Sequence, residues 1–251
     1  MTPGKTVNFP PEPSADLALF LDFDGTLIEI AEAPDLVRVP PELPSLLRRV
    51  QTVLDGAIAI VTGRGLINVQ ALLGPVDLTI AAEHGAAIRY AGQSATPQST
   101  SHEPAWPVAW KPQLAKFAQA RPGVEIEPKS GGVSIHYRRA PSEADAARDL
   151  AASLAEESGG AFVVLPAKMA YELRRPQVDK GVAVRQLMET PPFKGRKPVF
   201  IGDDVTDEDG FRAAEALGGY ALQVDRHFKG QPACVRAWLA DFCAMEKGDV
   251  E

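Results

Sequence analysis

Apolar runs of strand length alternate along this chain with segments of helical spacing. Leu17 to Leu21, Ala57 to Val61, Leu78 to Ala82 and Pro198 to Ile201 read as strands. Pro44 to Leu54 carries apolar residues at Leu46, Leu47, Val50 and Leu54, and Ile67 to Leu73 continues as a helix after the turn Gly63-Arg64-Gly65. Strands joined by helical crossovers imply a parallel sheet. Ligands of such sheets bind outside the carboxyl ends of the strands, where Asp22, Asp24, Thr62, Glu83 and Asp203 would all emerge.

Nearly a hundred residues separate Ala82 from Lys180, far more than the dozen or so a parallel crossover needs. The spacing predicts a helix over Lys111 to Ala120, opened by Pro112, then strands at Val124 to Glu127 and Val133 to Arg138. A second helix over Ser142 to Ser158 and strands at Phe162 to Leu165 and Met169 to Arg174 complete the set. Two repeats of helix, strand, strand make a small α+β module inserted between two parts of the core. The expected division is a core over 1–103, with a loose proline-rich tail at 1–16, an inserted module over 104–175, and the rest of the core over 176–251. The mixed Ser, Thr, Gln and Pro segment Gln93 to Pro104 is the expected linker.

Composition changes this picture little but excludes several classes. With 251 residues, 45% hydrophobic and 24% charged, the chain is ordinary globular material, and no apolar run approaches the roughly 18 residues of a membrane span. A net charge of -7 argues against general attraction to nucleic acid or an anionic membrane, so an anionic substrate must be held locally. Cys234 and Cys243 fit neither a disulfide framework nor a zinc site, and the first sixteen residues lack the apolar segment of a secretory signal. A cytoplasmic monomer acting on a small molecule is expected.

The chemistry concentrates at Leu21-Asp22-Phe23-Asp24-Gly25-Thr26. Residues i and i+2 of a strand point the same way, so Asp22 and Asp24 are expected to leave together, with Phe23 turned inward. Paired carboxylates raise each other's pKa unless a cation sits between them, which invites a metal or divided acid and nucleophile roles. Gly202-Asp203-Asp204-Val205-Thr206-Asp207-Glu208 places further acids after the apolar Val199 to Ile201. Magnesium takes one or two carboxylates together with substrate phosphate, and Asp22 and Asp203 could provide them, with Asp204 and Asp207 in support or capping the next helix. Lys180, opening a helix after Asp179, reads by itself as a surface lysine, but an acidic site that binds phosphate needs such a fixed counter-charge. Thr62 offers a hydroxyl to phosphate oxygens or to a helix N-terminus.

Taken in order, Asp22-Phe23-Asp24-Gly25-Thr26, Thr62, Lys180 and Gly202-Asp203-Asp204 resemble the four motifs of the haloacid dehalogenase-like (HAD) superfamily of aspartate-nucleophile phosphatases. Glu83-His84-Gly85, Lys129 followed by His136-Tyr137-Arg138, Glu172-Leu173-Arg174, and Gly202 to Glu208 are similar to motifs of the trehalose-6-phosphate phosphatase family. The resemblance, over roughly residues 17 to 225, implies a Rossmann-like HAD core with a parallel sheet and an inserted α+β cap domain. It implies magnesium-dependent hydrolysis of trehalose 6-phosphate, with Asp22 as nucleophile and Asp24 as acid and base. Lys180 and Thr62 would stabilise the phosphoryl oxygens, and Asp22, Asp203 and the Asp24 backbone carbonyl would hold the metal. Lys129, His136, Arg138 and Glu172 would then bind the sugar, although alternation in that strand equally predicts a solvent face.

One departure stands out: similar proteins place proline directly after the basic residue that follows the glutamate, whereas Glu172-Leu173-Arg174-Arg175-Pro176 delays it by one. Competing readings are a phosphatase for another glycosyl phosphate, a phosphomutase, a metal-dependent glycosyltransferase and a non-catalytic sugar-phosphate sensor. The short segment after Leu27, without room for a lid, counts against the mutase, Lys180 beside Asp203 against the transferase, and retention of Asp22 and Asp24 against the sensor.

Overall fold

The computed structural model describes residues 9–31, 36–93, 106–129, 131–167, 169–176 and 178–245. The expected linker falls outside them from residue 94 on, and so does the boundary at 103/104. Contacts along the chain divide it into two compact units, 1–96 with 179–251, and 97–178.

The first unit is built on a six-stranded sheet. Its strands are β1 (Leu17–Leu21), β2 (Ile58–Val61), β3 (Thr79–Ala82), β4 (Ala87–Arg89), β9 (Lys197–Gly202) and β10 (Tyr220–Gln223), in the order β10-β9-β1-β2-β3-β4. All pairs are parallel except β3 with β4, which forms an antiparallel edge. Every residue of β1, β2 and β3 is buried, the pattern expected of parallel strands covered on both faces. Helices α1 (Leu43–Val53) and α8 (Pro232–Met245) pack together, as do α5 (Lys180–Met188) and α6 (Glu208–Ala216); α2 (Leu66–Leu73) links β2 to β3, and the short α7 (Val224–His227) follows β10. The end of the expected loose tail is tied down. The Trp238 indole donates to the Pro11 carbonyl at 3.0 Å, and the Lys197 N–H to that of Asp16 at 2.8 Å.

The second unit repeats helix, strand, strand: α3 (Trp110–Gln119), β5 (Glu125–Pro128), β6 (Gly132–His136), α4 (Ala144–Glu157), β7 (Val163–Ala167) and β8 (Ala170–Arg174). The strands form an antiparallel sheet in the order β5-β6-β8-β7. One face holds Val133, Ile135 and Leu173, which share a core with Trp110 and Leu114 of α3 and Ala147, Ala151 and Leu154 of α4. Trp106 joins that core, its ring 6.3 Å from that of Trp110. Residues directly opposed in an antiparallel sheet share a face. The register Glu127 to Ser134 to Glu172, and Glu125 to His136 to Ala170, therefore places these six on the other side. β6 is shorter than expected. After the Tyr137 N–H bonds to the Met169 carbonyl, the Ala140 N–H turns back to Tyr137, and Arg138 lies in that turn rather than in the strand.

Candidate active site

Asp22 follows the last residue of β1 and donates its backbone N–H to the Ile201 carbonyl of β9 at 2.9 Å. Asp203 follows the last residue of β9. The two acids thus emerge side by side because their strands are neighbours in register. Between them the chain turns sharply at Gly25, whose φ is +78° and where an added Cβ would lie 2.1 Å from Asp203 Oδ2, so only glycine fits. The turn buries Thr26 completely, with its Oγ1 3.4 Å from Asp22 Oδ2 and 3.3 Å from Asp203 Oδ1.

Lys180 reaches the same place from α5. The Asp179 carboxylate accepts the Val182 N–H at 2.7 Å and starts the helix there. Side chains lean toward a helix N-terminus, which sends Lys180 back along α5. Gly181 lets α5 approach closely: a Cβ there would lie 2.3 Å from the Asp209 carbonyl of α6. Lys180 is 2% exposed, and its Nζ lies 2.6 Å from Asp22 Oδ1 and 2.6 Å from Asp207 Oδ1. Asp207, fully buried, spends its other oxygen on the backbone N–H groups of Asp203 and Asp204, each at 3.0 Å. Asp204 accepts from the Val205 N–H, so the acidic run caps a helical turn and supports the carboxylate cluster at once.

Asp22, Asp203 and Asp207 bring oxygens within 4.8 Å of one another. Three carboxylates face one lysine. Burial pushes the Asp22 carboxyl well above the usual range, Lys180 opposes this, and Asp207 and Asp203 add to it. Burial, then Asp207 and Asp204, lift Asp203 to about 6. For Lys180 burial works to lower the pKa, but the charges of Asp22 and Asp207 outweigh it and hold the ammonium above its ordinary value.

Asp24 lies in the loop that follows β1. Its carboxylate is gripped by Arg64, with Nε 2.6 Å from Oδ2 and Nη2 2.7 Å from Oδ1. Phe23, between the two acids, is buried as the alternation predicts, although β1 itself ends at Leu21. Thr62, buried at the end of β2, accepts the Arg64 N–H at 3.1 Å and caps no helix, since α2 starts after Gly65.

In the second unit Lys129 Nζ lies 3.4 Å from Glu172 Oε2, both side chains 10% exposed. His136 Nε2 lies 2.8 Å from Glu127 Oε2. The His136 hydrogen bond lowers the Glu127 pKa, and the charge of Lys129 adds to that effect. Glu127 thereby joins the expected Lys129, His136 and Glu172; its alternation with Ile126 in the sequence was the available signal.

Comparison with known proteins places the chain in a family. The family described as Trehalose-phosphatase matches residues 20–233. A probable trehalose-phosphate phosphatase of Sinorhizobium fredii is 39% identical over 210 residues, 82% of this chain and 77% of the relative. The trehalose-6-phosphate phosphatase of Escherichia coli is 35% identical over 218 residues, 85% and 79% of the two chains. The C. albicans trehalose-6-phosphate phosphatase C-terminal domain shares the fold, with a TM-score of 0.68 at 22% identity and 91% of each chain covered. With an acid cluster at the carboxyl edge of its parallel sheet and a family match over most of its length, this phosphatase belongs to the trehalose-phosphatase family.

Proposed function

We propose that the chain hydrolyses trehalose 6-phosphate to trehalose and inorganic phosphate, with magnesium, through an aspartyl phosphate on Asp22. The observation that carries this reading is the buried Asp22–Lys180–Asp207 arrangement beside Asp203, in a chain whose relatives are named for that substrate.

The donor set fits a hard divalent cation. Every candidate ligand is an oxygen, and the single Thr26 hydroxyl hydrogen can serve only one of the two carboxylate oxygens it faces. Both Asp207 oxygens are engaged, so Asp22 and Asp203, with the Asp24 backbone carbonyl, would hold the ion. Magnesium, when bound, supplies positive charge to phosphoryl oxygens and offsets the surplus carboxylates.

The chain's own residues divide the rest. A carboxylate oxygen of Asp22 forms a bond to phosphorus as the bond from phosphorus to the sugar oxygen breaks, and that oxygen leaves with a proton from Asp24. Water then attacks the aspartyl phosphate, gives its proton to Asp24 and releases phosphate, restoring Asp22. Lys180 and Thr62 stabilise charge on the transferring group, where positioning and electrostatics supply most of the rate. Recognition of the sugar falls to the second unit, as a cap domain, through Lys129, His136, Arg138 and Glu172, charged and polar groups suited to a ligand rich in hydroxyls. Cys234 and Cys243 as reduced thiols fit a reducing cytoplasm.

Phosphate release from trehalose 6-phosphate, sucrose 6-phosphate, glucose 6-phosphate and an aryl phosphate, each with and without magnesium, tests this. Strong magnesium-dependent preference for trehalose 6-phosphate is expected; turnover of the aryl ester alone would discard the sugar. His136→Ala is expected to lower kcat/KM about 10-fold more for trehalose 6-phosphate than for the aryl ester, the scale of one hydrogen bond to a sugar hydroxyl. Equal losses on the two esters would remove the second unit from recognition.

A further inference from the structure

We infer that Arg64 is a positioning residue for Asp24, fixing the carboxylate that serves the departing sugar oxygen. The inference rests on the reading of Asp24 as acid and base given above. Arg64 contributes both Nε and Nη2 to the two Asp24 oxygens, at 2.6 and 2.7 Å, the planar fork that guanidinium alone presents to a carboxylate. Asp24 stands in the turn after β1 with its side chain 36% exposed, so without that fork its χ angles would be free to explore several wells. A general acid must stand within hydrogen-bond reach of the atom it serves, and a side chain that wanders loses that reach.

Arg64 is itself held from every side. Its Nη1 donates to Asn68 Oδ1 at 2.7 Å, one turn along at the start of α2, and its guanidinium carbon sits 6.0 Å from the centre of the Phe23 ring. Its backbone N–H donates to Thr62 Oγ1 at 3.1 Å, and its carbonyl accepts the Glu83 N–H at 3.0 Å. The Thr62 carbonyl accepts the His84 N–H at 2.8 Å. Those last two donors come from a turn in which Glu83, His84 and Gly85 have φ of 50°, 58° and 102°. Non-glycine residues adopt that region only where surrounding structure imposes it, and such strain gathers at functional sites. Here the strained turn grips both ends of the loop that carries Arg64. A surface ion pair would need no such anchoring.

The test separates placement of the acid from general damage. With magnesium present, release of the leaving group in the first turnover is followed for trehalose 6-phosphate, whose sugar oxygen needs a proton, and for 4-nitrophenyl phosphate, whose phenolate departs without one. Arg64→Met is expected to slow sugar release more than phenolate release by a factor on the order of 100, the usual scale of general acid catalysis. Arg64→Lys, which keeps the charge without the fork, is expected to show a smaller split, and it carries the test if Arg64→Met fails to accumulate. Asp24→Asn is the reference and is expected to show a split at least as large as that of Arg64→Met. Absence of a split in Asp24→Asn would overturn the assignment of Asp24 and this inference with it. A split in Asp24→Asn with equal losses on both esters in the Arg64 variants, or with no loss, would overturn the role of Arg64 alone.

Discussion

Asp22→Asn is expected to abolish turnover of every phosphate ester while the protein stays folded. An amide neither attacks phosphorus nor carries the charge that a divalent cation requires, and removal of a covalent nucleophile can cost about 10⁶-fold in kcat. The fold should survive because Asp22 is one carboxylate in excess. Burial and the neighbouring Asp207 and Asp203 raise its pKa, so the ionised form subtracts from stability as pH climbs through that raised range. Asparagine carries no such cost, its amide oxygen can still accept from Lys180, and Lys180 retains Asp207 at 2.6 Å. The metal-free variant should therefore unfold at the same temperature as the parent protein or above it. Phosphate release, acid-trapped phosphoenzyme and thermal unfolding of the two proteins check these points; turnover within tenfold of the parent would deny the covalent route.

What the sequence could and could not reveal follows from where each residue's partners lie. β1, β2, β3 and β9 are legible because parallel strands covered on both faces are almost continuously apolar. β4, three residues long, is too short for periodicity to mark it, and it joins the sheet only by pairing with β3. Acids after the strand ends could be read in the same way, since sheet topology brings such positions together whatever the sequence between them. Their roles within the cluster could not. Among the acids from Asp203 to Glu208, only Asp207 is fully buried, and only the fold shows that both of its oxygens are taken by Lys180 and by the backbone. Arg64 stands next to the expected Thr62, yet its partner Asp24 lies 40 residues earlier in the chain. No local pattern encodes that distance. Nor does one announce the left-handed backbone at Glu83 and His84, since of the three residues in that turn only Gly85 is of a type that prefers it.

Lys180→Met should be damaging in two separable ways. Methionine matches the lysine stem in length but leaves Asp22 and Asp207, two buried carboxylates, without their shared cation. Breaking a buried ion pair from one side typically costs about 3–5 kcal/mol, because the stranded charge has lost its solvent as well as its partner. Denaturant unfolding at neutral pH without metal should register that loss, and turnover should fall on the order of 10³-fold once the ammonium no longer faces the transferring phosphoryl oxygens. A second substitution tells the two effects apart. Adding Asp22→Asn to Lys180→Met removes one of the stranded carboxylates, so the double variant should recover part of the lost stability while activity stays absent. Independent sites would add their costs; residues that share a buried charge do not. If Lys180→Met unfolds like the parent, or if the double variant is less stable than either single one, then Lys180 does not balance the charge of this cluster, and its burial between Asp22 and Asp207 needs another explanation.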